Sequence, residues 1–596
     1  METPAEKDLQ NLDAKDFIEI LEGKKRGEEV YKKFYRKWES FDEAVVIEGV
    51  RVTGDIELPA SFQAELPIIL TGESQFRHFW IRGGKFSSDF SIEGNTFFSG
   101  FGIFDGLFSG KFKIGGGTFS GNFWLSGGTF SRSFEILEGK FLSYFGIGHN
   151  NIEFDNFKIK GGTFSDKFEI LNGVFSDEFG IDSGNFLGDF VIKGNSNFNN
   201  FYVNGGTFSG TFAIEGNCAF RNSWIYEGEF LRVFEINGGD FNEEFTILGG
   251  KFIGSFHISR GNFQKGFKIS WGSFSSLLKI SGGSFSSRLA IENGRFTQLL
   301  IRPFSSLFIE TLHLSIQPTA LPLIQMTSGE RTCTINTLRL ENVTLQEEEI
   351  IQVNGLNFNQ IEFVNVLNYG NITLTAVGRD ETGPPTRKLT IQNSDLGKTT
   401  LIGCDFSEAE FCLESSKITE MFVTAGTKLP EKLSHQNAEQ LRVGYGQLKK
   451  VYENRGDVTE ANKYFARQMN AYQETLTWRK DFWEMLNLRL NRVSTNHGTN
   501  WQKGLAMTLG VSAAFFGGYL LALGLLPGGS ANYFFKVWSY FLEFINPIHN
   551  ADFIADELKI KPTSGGRFIE GLSRIFIAYF IYQLIQAFRK HGRKGD

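Results

Sequence analysis

The chain has 596 residues and a formal net charge of −7, and it contains 64 phenylalanines and 68 glycines. This length exceeds one ordinary globular core, so several structural units are expected. The lack of a basic excess argues against a nucleic-acid-binding protein. Four cysteines show neither a disulfide framework nor a zinc-ligand spacing, and we expect reduced thiols in a cytoplasmic protein. They are Cys218, Cys333, Cys404 and Cys412.

Residues 1–44 predict a helical cap. Apolar residues recur at helical spacing before Gly27, at Phe17 and Leu21, and after it, at Phe34 and Trp38. Two surface helices that cap a larger domain are the favoured interpretation, and a binding arm is the alternative. No apolar stretch follows a basic start, so we expect no secretory signal.

Residues 45–303 are organised by an 11-residue repeat of phenylalanine and glycine. The phenylalanines that keep this period are Phe79, Phe90, Phe101, Phe112, Phe123, Phe134 and Phe145, then Phe157, Phe168, Phe179, Phe190, Phe201 and Phe212, and finally Phe234, Phe245, Phe256 and Phe267. Self-similarity at a fixed short period is the signature of a repeat architecture.

Each repeat predicts a short strand, a corner and a shorter strand. In Phe-x-Ile both apolar side chains point to one face, and pairs such as Gly127-Gly128 allow a tight corner. Stacked at roughly 4.8 Å, these units form an all-β solenoid, a parallel β-helix of either hand. Lys113 and Glu135 take outward positions 22 residues apart, which favours two repeats per coil. The alternative, a disordered Phe-Gly mesh, is disfavoured because disordered segments have few aromatic residues and need no strict register.

Residues 304–432 alternate apolar and polar residues with fewer phenylalanines, and predict a divergent part of the same solenoid with a loop at 379–385. Within 394–407 the apolar residues are about five apart. Cys404-Asp405-Phe406 resembles the Ala/Cys-Asp/Asn-Leu/Phe-x-x unit of bacterial pentapeptide-repeat proteins, which form a square β-helix. The 11-residue block departs from that pattern, so the resemblance concerns architecture.

Residues 433–500 predict an α-helical hairpin and a stalk. Gly456 is placed to end the first helix, and Asp457 with Glu460 forms a capping box for the second. The pair resembles a single tetratricopeptide-like hairpin, and one copy cannot form a peptide groove, so we expect a joint. The second helix is expected to continue past Trp478 as an aromatic and basic stalk that meets the membrane surface.

Two apolar stretches, 501–527 and 568–590, predict transmembrane helices. Residues 504–526 are 23 residues without a charge, long enough to cross the hydrocarbon. Basic residues precede the first stretch and follow the second, continuing into a basic tail at 591–596. The positive-inside rule then predicts a two-pass protein of the inner (cytoplasmic) membrane, with the solenoid and both termini cytoplasmic. The candidate membrane-surface cations are Arg589, Lys590, Arg593 and Lys594.

The loop at 528–567 contains an amphipathic helix at 533–545, which is too short to span and is interfacial or re-entrant. It carries Trp538, and Asn546 and His549 follow it. Arg574 lies inside the second stretch and needs Glu570, one turn earlier, as a partner, or else an aqueous path. The alternative places both at the interface. These five residues are the candidate pore or interface residues.

The sequence carries no pattern typical of catalysis. Its eight histidines stand outside any metal-ligand spacing, and no nucleophile elbow, phosphate loop or dinucleotide fingerprint occurs. We therefore expect a protein that is not an enzyme and needs no cofactor or metal.

The architecture of the chain resembles that of membrane-associated pentapeptide-repeat-like bacterial proteins, in which a β-solenoid precedes a helical hairpin and two C-terminal transmembrane helices, and the resemblance covers the C-terminal third of the chain. The characteristic phrases are Gly456-Asp457, Asn546-Pro547-Ile548-His549 and Gln583-x-x-Gln586-Ala-Phe-Arg-Lys590. The first functional hypothesis is a non-catalytic binding or sensing platform coupled to a two-helix, pore-forming or ion-channel-like module. The alternative is a passive membrane-tethered scaffold. The expected partners are the lipid bilayer, further copies of the chain through the transmembrane helices, and an unknown protein on the solenoid wall.

Overall fold

The computed structural model describes residues 9–94, 96–316, 323–328, 333–378, 386–434, 437–525 and 531–592, with the backbone alone for 531–534 and 591–592. The predicted loop at 379–385, Arg593 and Lys594 lie outside these residues. The chain forms two compact units, Met1–Ala409 with Gly426–Lys428, and Glu410–Ala425 with Leu429–Asp596.

The first unit is a β-solenoid of about 16 turns. Its early strands are Gln10–Asp13, Tyr35–Trp38, Phe41–Glu48, Val50–Thr53, Ile56–Leu58, Gln63–Ala64, Ile68–Thr71 and Gln75–Ile81. The phenylalanine-rich strands are Lys85–Phe86, Phe90–Ile92, Phe97–Ile103, Leu107–Phe108, Phe112–Ile114, Thr118–Phe119, Phe123–Leu125, Gly128–Ile136, Lys140–Phe141, Phe145–Ile159, Thr163–Phe164, Phe168–Ile181, Asn185–Phe186, Phe190–Lys193, Asn197–Val203, Thr207–Phe208, Phe212–Ile225, Glu229–Phe230, Phe234–Phe241, Phe245–Ile247, Lys251–Phe252, Phe256–Phe263, Phe267–Ser270, Ser273–Ile280, Gly283–Glu292 and Arg295–Ile301. The later strands are Leu307–Ser315, Leu323–Thr327, Cys333–Glu341, Thr344–Leu345, Ile350–Asn354, Gln360–Val364, Leu367–Asn368, Asn371–Thr375, Lys388–Gln392 and Thr400–Ile402.

The predicted coil of two repeats is confirmed by the strand register. Phe90 pairs in parallel with Phe112, and Phe112 with Phe134, each one coil of 22 residues further along. Beyond the phenylalanine-rich part, Leu312 pairs with Leu338 in the same parallel sense, so the stacking continues with longer coils. The fold class predicted from the sequence, a parallel β-solenoid followed by helices, is therefore confirmed.

The core of the solenoid is built from columns of stacked phenylalanine rings. The fully buried ring of Phe134 lies 4.7 Å from that of Phe112, with 3° between the ring planes. The neighbouring column meets it edge-on, because Phe130 is 5.3 Å away at 87°. Offset stacking and edge-to-face contacts are the favoured geometries of aromatic pairs. Burial of each ring contributes about 1.5–3 kcal/mol. The phenylalanines of each repeat therefore stabilise the solenoid directly.

Glycine and paired charges complete the coils. At the predicted corner, Gly128 has φ +107°, and a Cβ on Gly127 would lie 2.4 Å from the carbonyl oxygen of Phe104. Lys113 and Glu135 share a register position. Their ion pairs go to other residues, with Lys113 Nζ 3.0 Å from Glu93 Oε1. Lys113 and Glu135 are therefore stacked in register as predicted, but each forms its ion pair with another residue.

The N-terminal prediction is half wrong. The first predicted helix is present as α1 (Ala14–Leu21), and its Phe17 ring extends the phenylalanine column by packing 5.5 Å from Phe76. The second is replaced by a 3₁₀-helix at Glu29–Phe34 and by Tyr35–Trp38, which pairs antiparallel with Phe41–Glu48. The reason is tertiary, because the latter strand needs an edge partner and its residues 44–47 are buried in succession.

The second unit contains two short strands and eight helices among its described residues. The strands are Glu410–Glu414 and Phe422–Val423. The helices are α2 (Ala438–Asn454), α3 (Val458–Thr475), α4 (Phe482–Thr495), α5 (Trp501–Ala522), α6 (Ala531–Ser539), α7 (Phe541–Phe544), α8 (Phe553–Glu557) and α9 (Ser564–Gly592). The predicted hairpin is α2 and α3, with Tyr452 and Tyr464 stacked 5.4 Å apart.

Two helix predictions in this unit need correction. The second hairpin helix does not continue past Trp478, because Leu476 is extended and the backbone N–H of Thr477 donates to Asp481, which starts a new helix, α4. The single amphipathic helix at 533–545 is divided into α6 and α7 by a break at Tyr540.

Candidate functional site

Helices α5 and α9 form an antiparallel pair, and both are long and apolar enough to cross a membrane. At one end the rings of Trp501 and Phe588 are 5.2 Å apart, and at the other Thr563 Oγ1 donates to the carbonyl oxygen of Ala522 at 2.8 Å. With 22 residues α5 is about 33 Å long.

The outer surface of the pair is apolar. In the most apolar 18-residue window of each helix only 28% of the residues are buried. The large apolar side chains exposed on the two helices are Leu505, Leu509, Leu521, Phe568, Ile575, Phe576, Tyr582, Ile585 and Phe588.

A buried polar cluster lies near the loop end of the pair, with Glu570 at its centre. Its carboxylate is 3.1 Å from His549 Nε2, accepts from Arg574 Nη2 at 3.1 Å, and accepts from the backbone N–H of Asp552 at 3.2 Å. The Glu570 and His549 side chains are 4% and 1% exposed, whereas Arg574 is 32% exposed. Arg567 Nε donates to Asp552 at 2.9 Å and extends the cluster outward.

The histidine of this cluster faces two acceptors. His549 Nδ1 is 2.6 Å from the carbonyl oxygen of Asn546, and Nε2 faces the Glu570 carboxylate. A carbonyl oxygen only accepts, so Nδ1 carries a proton there. The second contact then requires another proton, either on Nε2 or on Glu570. The contact between His549 and Glu570 is therefore a hydrogen bond between two buried side chains.

The loop helices cover the end of the pair from the side. The Phe544 ring packs 5.3 Å from Phe516 and 5.4 Å from His549, and Trp538 packs 5.4 Å from Phe516. Phe516 lies six residues before Ala522, the last residue of α5, which is about 9 Å along the helix axis. The loop thus folds back along the helix.

The structure brings together three of the five residues predicted for a pore or interface: Glu570, His549 and Arg574. Asn546 contributes only its backbone carbonyl, and its side chain accepts from Ile548 N in a turn. Trp538 belongs to the apolar packing. The role of Asp552 was missed, since its contact depends on a left-handed backbone with φ 61°.

At the opposite end of the pair, the turn after α4 joins the other helices. Lys590 Nζ donates to the carbonyl oxygen of His497 at 3.1 Å and lies 3.9 Å from the Phe465 ring, and His497 Nε2 is 3.1 Å from Asn470 Oδ1. Lys590, predicted as a membrane-surface cation, is thus turned inward, whereas Arg589 is exposed.

His497 is neutral in this joint. Burial, together with the nearby cations Arg492, Lys590 and Lys503, lowers the pKa of His497 to about 4. Lys503 Nζ donates to the carbonyl oxygen of Arg492 at 3.0 Å. Lys503 of α5 and Lys590 of α9 thus both donate to carbonyl oxygens at the C-terminal end of α4. The helix dipole favours positive charge at that end.

Helix α4 has an apolar face on each side. Met485 and Leu488 are buried, whereas Trp483 is 78% exposed and Val493 51% exposed. Before the helix, the half-exposed ring of Trp478 lies 4.9 Å from the Arg489 guanidinium. Exposed tryptophan beside arginine is typical of a helix at a membrane–water interface.

Within the described residues no group of three or more His, Cys, Asp or Glu side chains is arranged to hold a metal ion. Comparison with protein-family models, with curated proteins and with solved structures gives no match. The class of the protein is therefore defined by its own architecture, a β-solenoid repeat protein with two helices long and apolar enough to span a membrane.

Proposed function

We propose that the chain is a membrane-anchored, non-catalytic repeat protein. In this proposal α5 and α9 cross the inner membrane as a hairpin, both termini are cytoplasmic, and the cytoplasmic solenoid is a platform that binds a partner protein. The observation that carries the proposal is the exposed apolar surface of α5 and α9.

The magnitude of that exposure supports the proposal. Nine large apolar side chains of the pair are between 40% and 68% exposed. Burying such a side chain completely contributes about 1.5–3 kcal/mol, so their half-exposure in water forgoes on the order of 10 kcal/mol. That is as large as the whole net stability of a typical domain, about 5–15 kcal/mol. A lipid environment removes the penalty.

Helix α4 fits the same arrangement as an interfacial helix. It packs against the Lys590 end of the pair through its C-terminal turn and exposes Trp483 and Val493. In this proposal those side chains enter the headgroup region, while Arg489 and Arg492 remain in water.

A second candidate function is an oligomeric pore, and Arg574 is the residue that favours it. One-third of its side chain is exposed beside a buried carboxylate. In membrane proteins, a charged residue within a transmembrane helix commonly marks an ion path or a contact between helices. Channel conductance in planar bilayers that disappears in Arg574→Leu would support the pore. If neither the unmodified protein nor Arg574→Leu conducts, the pore is refuted and the passive scaffold is favoured.

The anchoring proposal is tested by the depth of three exposed apolar positions. An environment-sensitive NBD probe is attached to Leu509→Cys, Trp483→Cys or Val443→Cys after the native cysteines are replaced by alanine. The full chain is reconstituted with phosphatidylcholine brominated along its acyl chains. Strong quenching is expected at 509 in α5, weaker quenching at 483 in α4, and none at 443 in α2. Equal quenching at 509 and 443 would refute membrane anchoring.

A further inference from the structure

One wall of the solenoid carries a groove of about 660 Å³ that combines aromatic rings and carboxylates. The residues that matter for its chemistry are Asp177, Glu178, Asp182, Tyr202, Trp224 and Tyr226.

The groove follows from the strand register. Gly180, Tyr202 and Trp224 take the same outward position in three consecutive coils. A Cβ on Gly180 would lie 2.2 Å from Cζ of Tyr202, so the tyrosine ring lies flat over the glycine. Because Gly180 has no side chain, the Tyr202 ring can lie against the wall of the solenoid.

A second aromatic pair continues this surface in the next coil. The Trp224 and Tyr226 rings are 6.5 Å apart at 20°, nearly parallel, and Tyr226 is 38% exposed. Two nearly parallel rings, of which Tyr226 is exposed and Trp224 is partly buried, suit a flat or cationic group, because a guanidinium stacks on aromatic faces and is attracted by their π-electrons.

The carboxylates of the groove are only partly neutralised. Lys158 Nζ lies 2.6 Å from Glu178, but within the described residues Asp177 and Asp182 form no ion pair. Burial raises the pKa of Tyr202, and the neighbouring Asp182 and Glu178 carboxylates raise it further. The groove therefore holds more negative charge than its own residues compensate.

Glu169, in the other repeat of the same coil, is an example of a carboxylate with a structural role. Glu169 is bound by Lys167 at 2.5 Å, Lys193 at 2.7 Å and the Tyr144 hydroxyl at 2.6 Å. Burial alone would raise the pKa of Glu169, and these three donors together lower it to about 2. Glu169 is thus neutralised by its own neighbours, whereas Asp177 and Asp182 are not. The difference indicates that a positive group from outside the chain would neutralise the groove.

We propose that this groove binds an arginine-containing segment of a partner protein. The guanidinium stacks on the Trp224 and Tyr226 rings, and Asp182 and Asp177 accept its hydrogen bonds. The proposal rests on the proposed role of the solenoid as a partner-binding platform. A neutral glycan also stacks on aromatic rings but leaves the two aspartates without a counter-charge, so the arginine segment is favoured.

The test uses the full chain in nanodiscs of zwitterionic phosphatidylcholine, to which a cationic peptide binds little. The probe is a fluorescent peptide of three Gly-Arg repeats, and its control replaces each arginine by neutral citrulline. Binding is followed by fluorescence anisotropy at two salt concentrations. We expect saturable binding of the arginine peptide that weakens with salt, and none of the citrulline peptide.

Two variants and a matched control locate the site. Asp182→Asn and Trp224→Leu are each expected to raise Kd about tenfold, the effect of one charge-assisted or cation–π contact. Trp124→Leu, at an outward position of another coil, is expected to bind as the unmodified protein does. Circular dichroism melting checks that each variant keeps its fold.

Several results would overturn the proposal: equal binding of the citrulline peptide, unchanged Kd in both groove variants, or cellohexaose binding that depends on Trp224, which would indicate a glycan site. Stable incorporation into nanodiscs without peptide binding refutes the groove alone. Failure to incorporate refutes the membrane-anchoring proposal instead.

Discussion

Replacing one ring in the middle of a phenylalanine column tests how the solenoid is stabilised. Phe134 is fully buried and touches four rings, stacking on Phe112 and Phe157 and meeting Phe130 and Phe154 edge-on. Phe→Ala in a core costs about 3–5 kcal/mol in total, and that cost is larger where the ring is paired with other rings, since each aromatic pair is worth about 0.5–1.5 kcal/mol beyond its buried area. We therefore expect Phe134→Ala to cost about 5 kcal/mol, the upper end of the range.

The matched control is Phe296→Ala near the end of a column. Phe296 is also buried, but among the described residues its ring pairs only with Phe274, at 5.0 Å. Its loss is expected to cost about 3 kcal/mol, the lower end of the range.

Native-state hydrogen exchange measures both the size and the spread of these effects. Because each coil contacts only its neighbours, the loss of protection in Phe134→Ala should be greatest in the coils that hold residues 112–157 and should decrease with distance. Equal costs for the two variants would refute the ring-column account, and so would a uniform loss of protection along the solenoid.

Three further predictions concern other parts of the chain. Glu570→Gln removes the carboxylate that accepts from Arg574 and from the backbone N–H of Asp552 and that contacts His549, and it should cost about 1–3 kcal/mol, measured as a lower melting temperature in vesicles, with exposed Glu557→Gln as the control. His497 has a folded pKa of about 4 against about 6.5 unfolded. Its stabilisation is complete above pH 6.5 and is lost as the pH falls toward 4, by about 2 kcal/mol at pH 5, measured by hydrogen exchange around α4. Gly148→Ala should cost about 3 kcal/mol or more in thermal unfolding, because its Cβ would lie 1.5 Å from the Leu171 carbonyl oxygen.

Each of these predictions has its own refuting result. An unchanged melting temperature in Glu570→Gln would show that the cluster is not a stabilising one. Persistence of the pH dependence in His497→Gln would assign it to another group. Gly49 also has a positive φ but open space around it, so a cost for Gly49→Ala equal to that of Gly148→Ala would contradict the steric argument.

The solenoid was predictable because its information is local and repeated. One phrase, Phe-x-Ile followed by glycine, specifies strand, face and corner in every coil, and stacking adds no requirement that the phrase does not contain. The second N-terminal helix was mispredicted because the spacing of Phe34 and Trp38 fits a helix as well as a 3₁₀ turn and a strand. Pairing with Phe41–Glu48 decides between them, and that pairing is invisible to periodicity.

The helical site was predictable only where it is local. Glu570 and Arg574 are one helical turn apart, so their contact follows from spacing. The contact of His549 with Glu570 requires the loop to fold back along α5. The position of His497 requires three successive left-handed residues after α4, with φ values of 51°, 61° and 77° at Asn496, His497 and Gly498. No sequence pattern predicts the contact of His549 with Glu570 or the left-handed turn at His497.

The side of the membrane reached by the α5–α9 loop tests the central claim most directly. Cysteine is introduced at exposed Lys561 in the loop or at exposed Val443 in α2, in the cysteine-free chain. The protein is reconstituted into sealed vesicles and treated with a membrane-impermeant maleimide before and after permeabilisation. If α5 and α9 cross the bilayer, positions 443 and 561 of the same oriented population are labelled from opposite sides. Labelling of both from the same side would contradict the account.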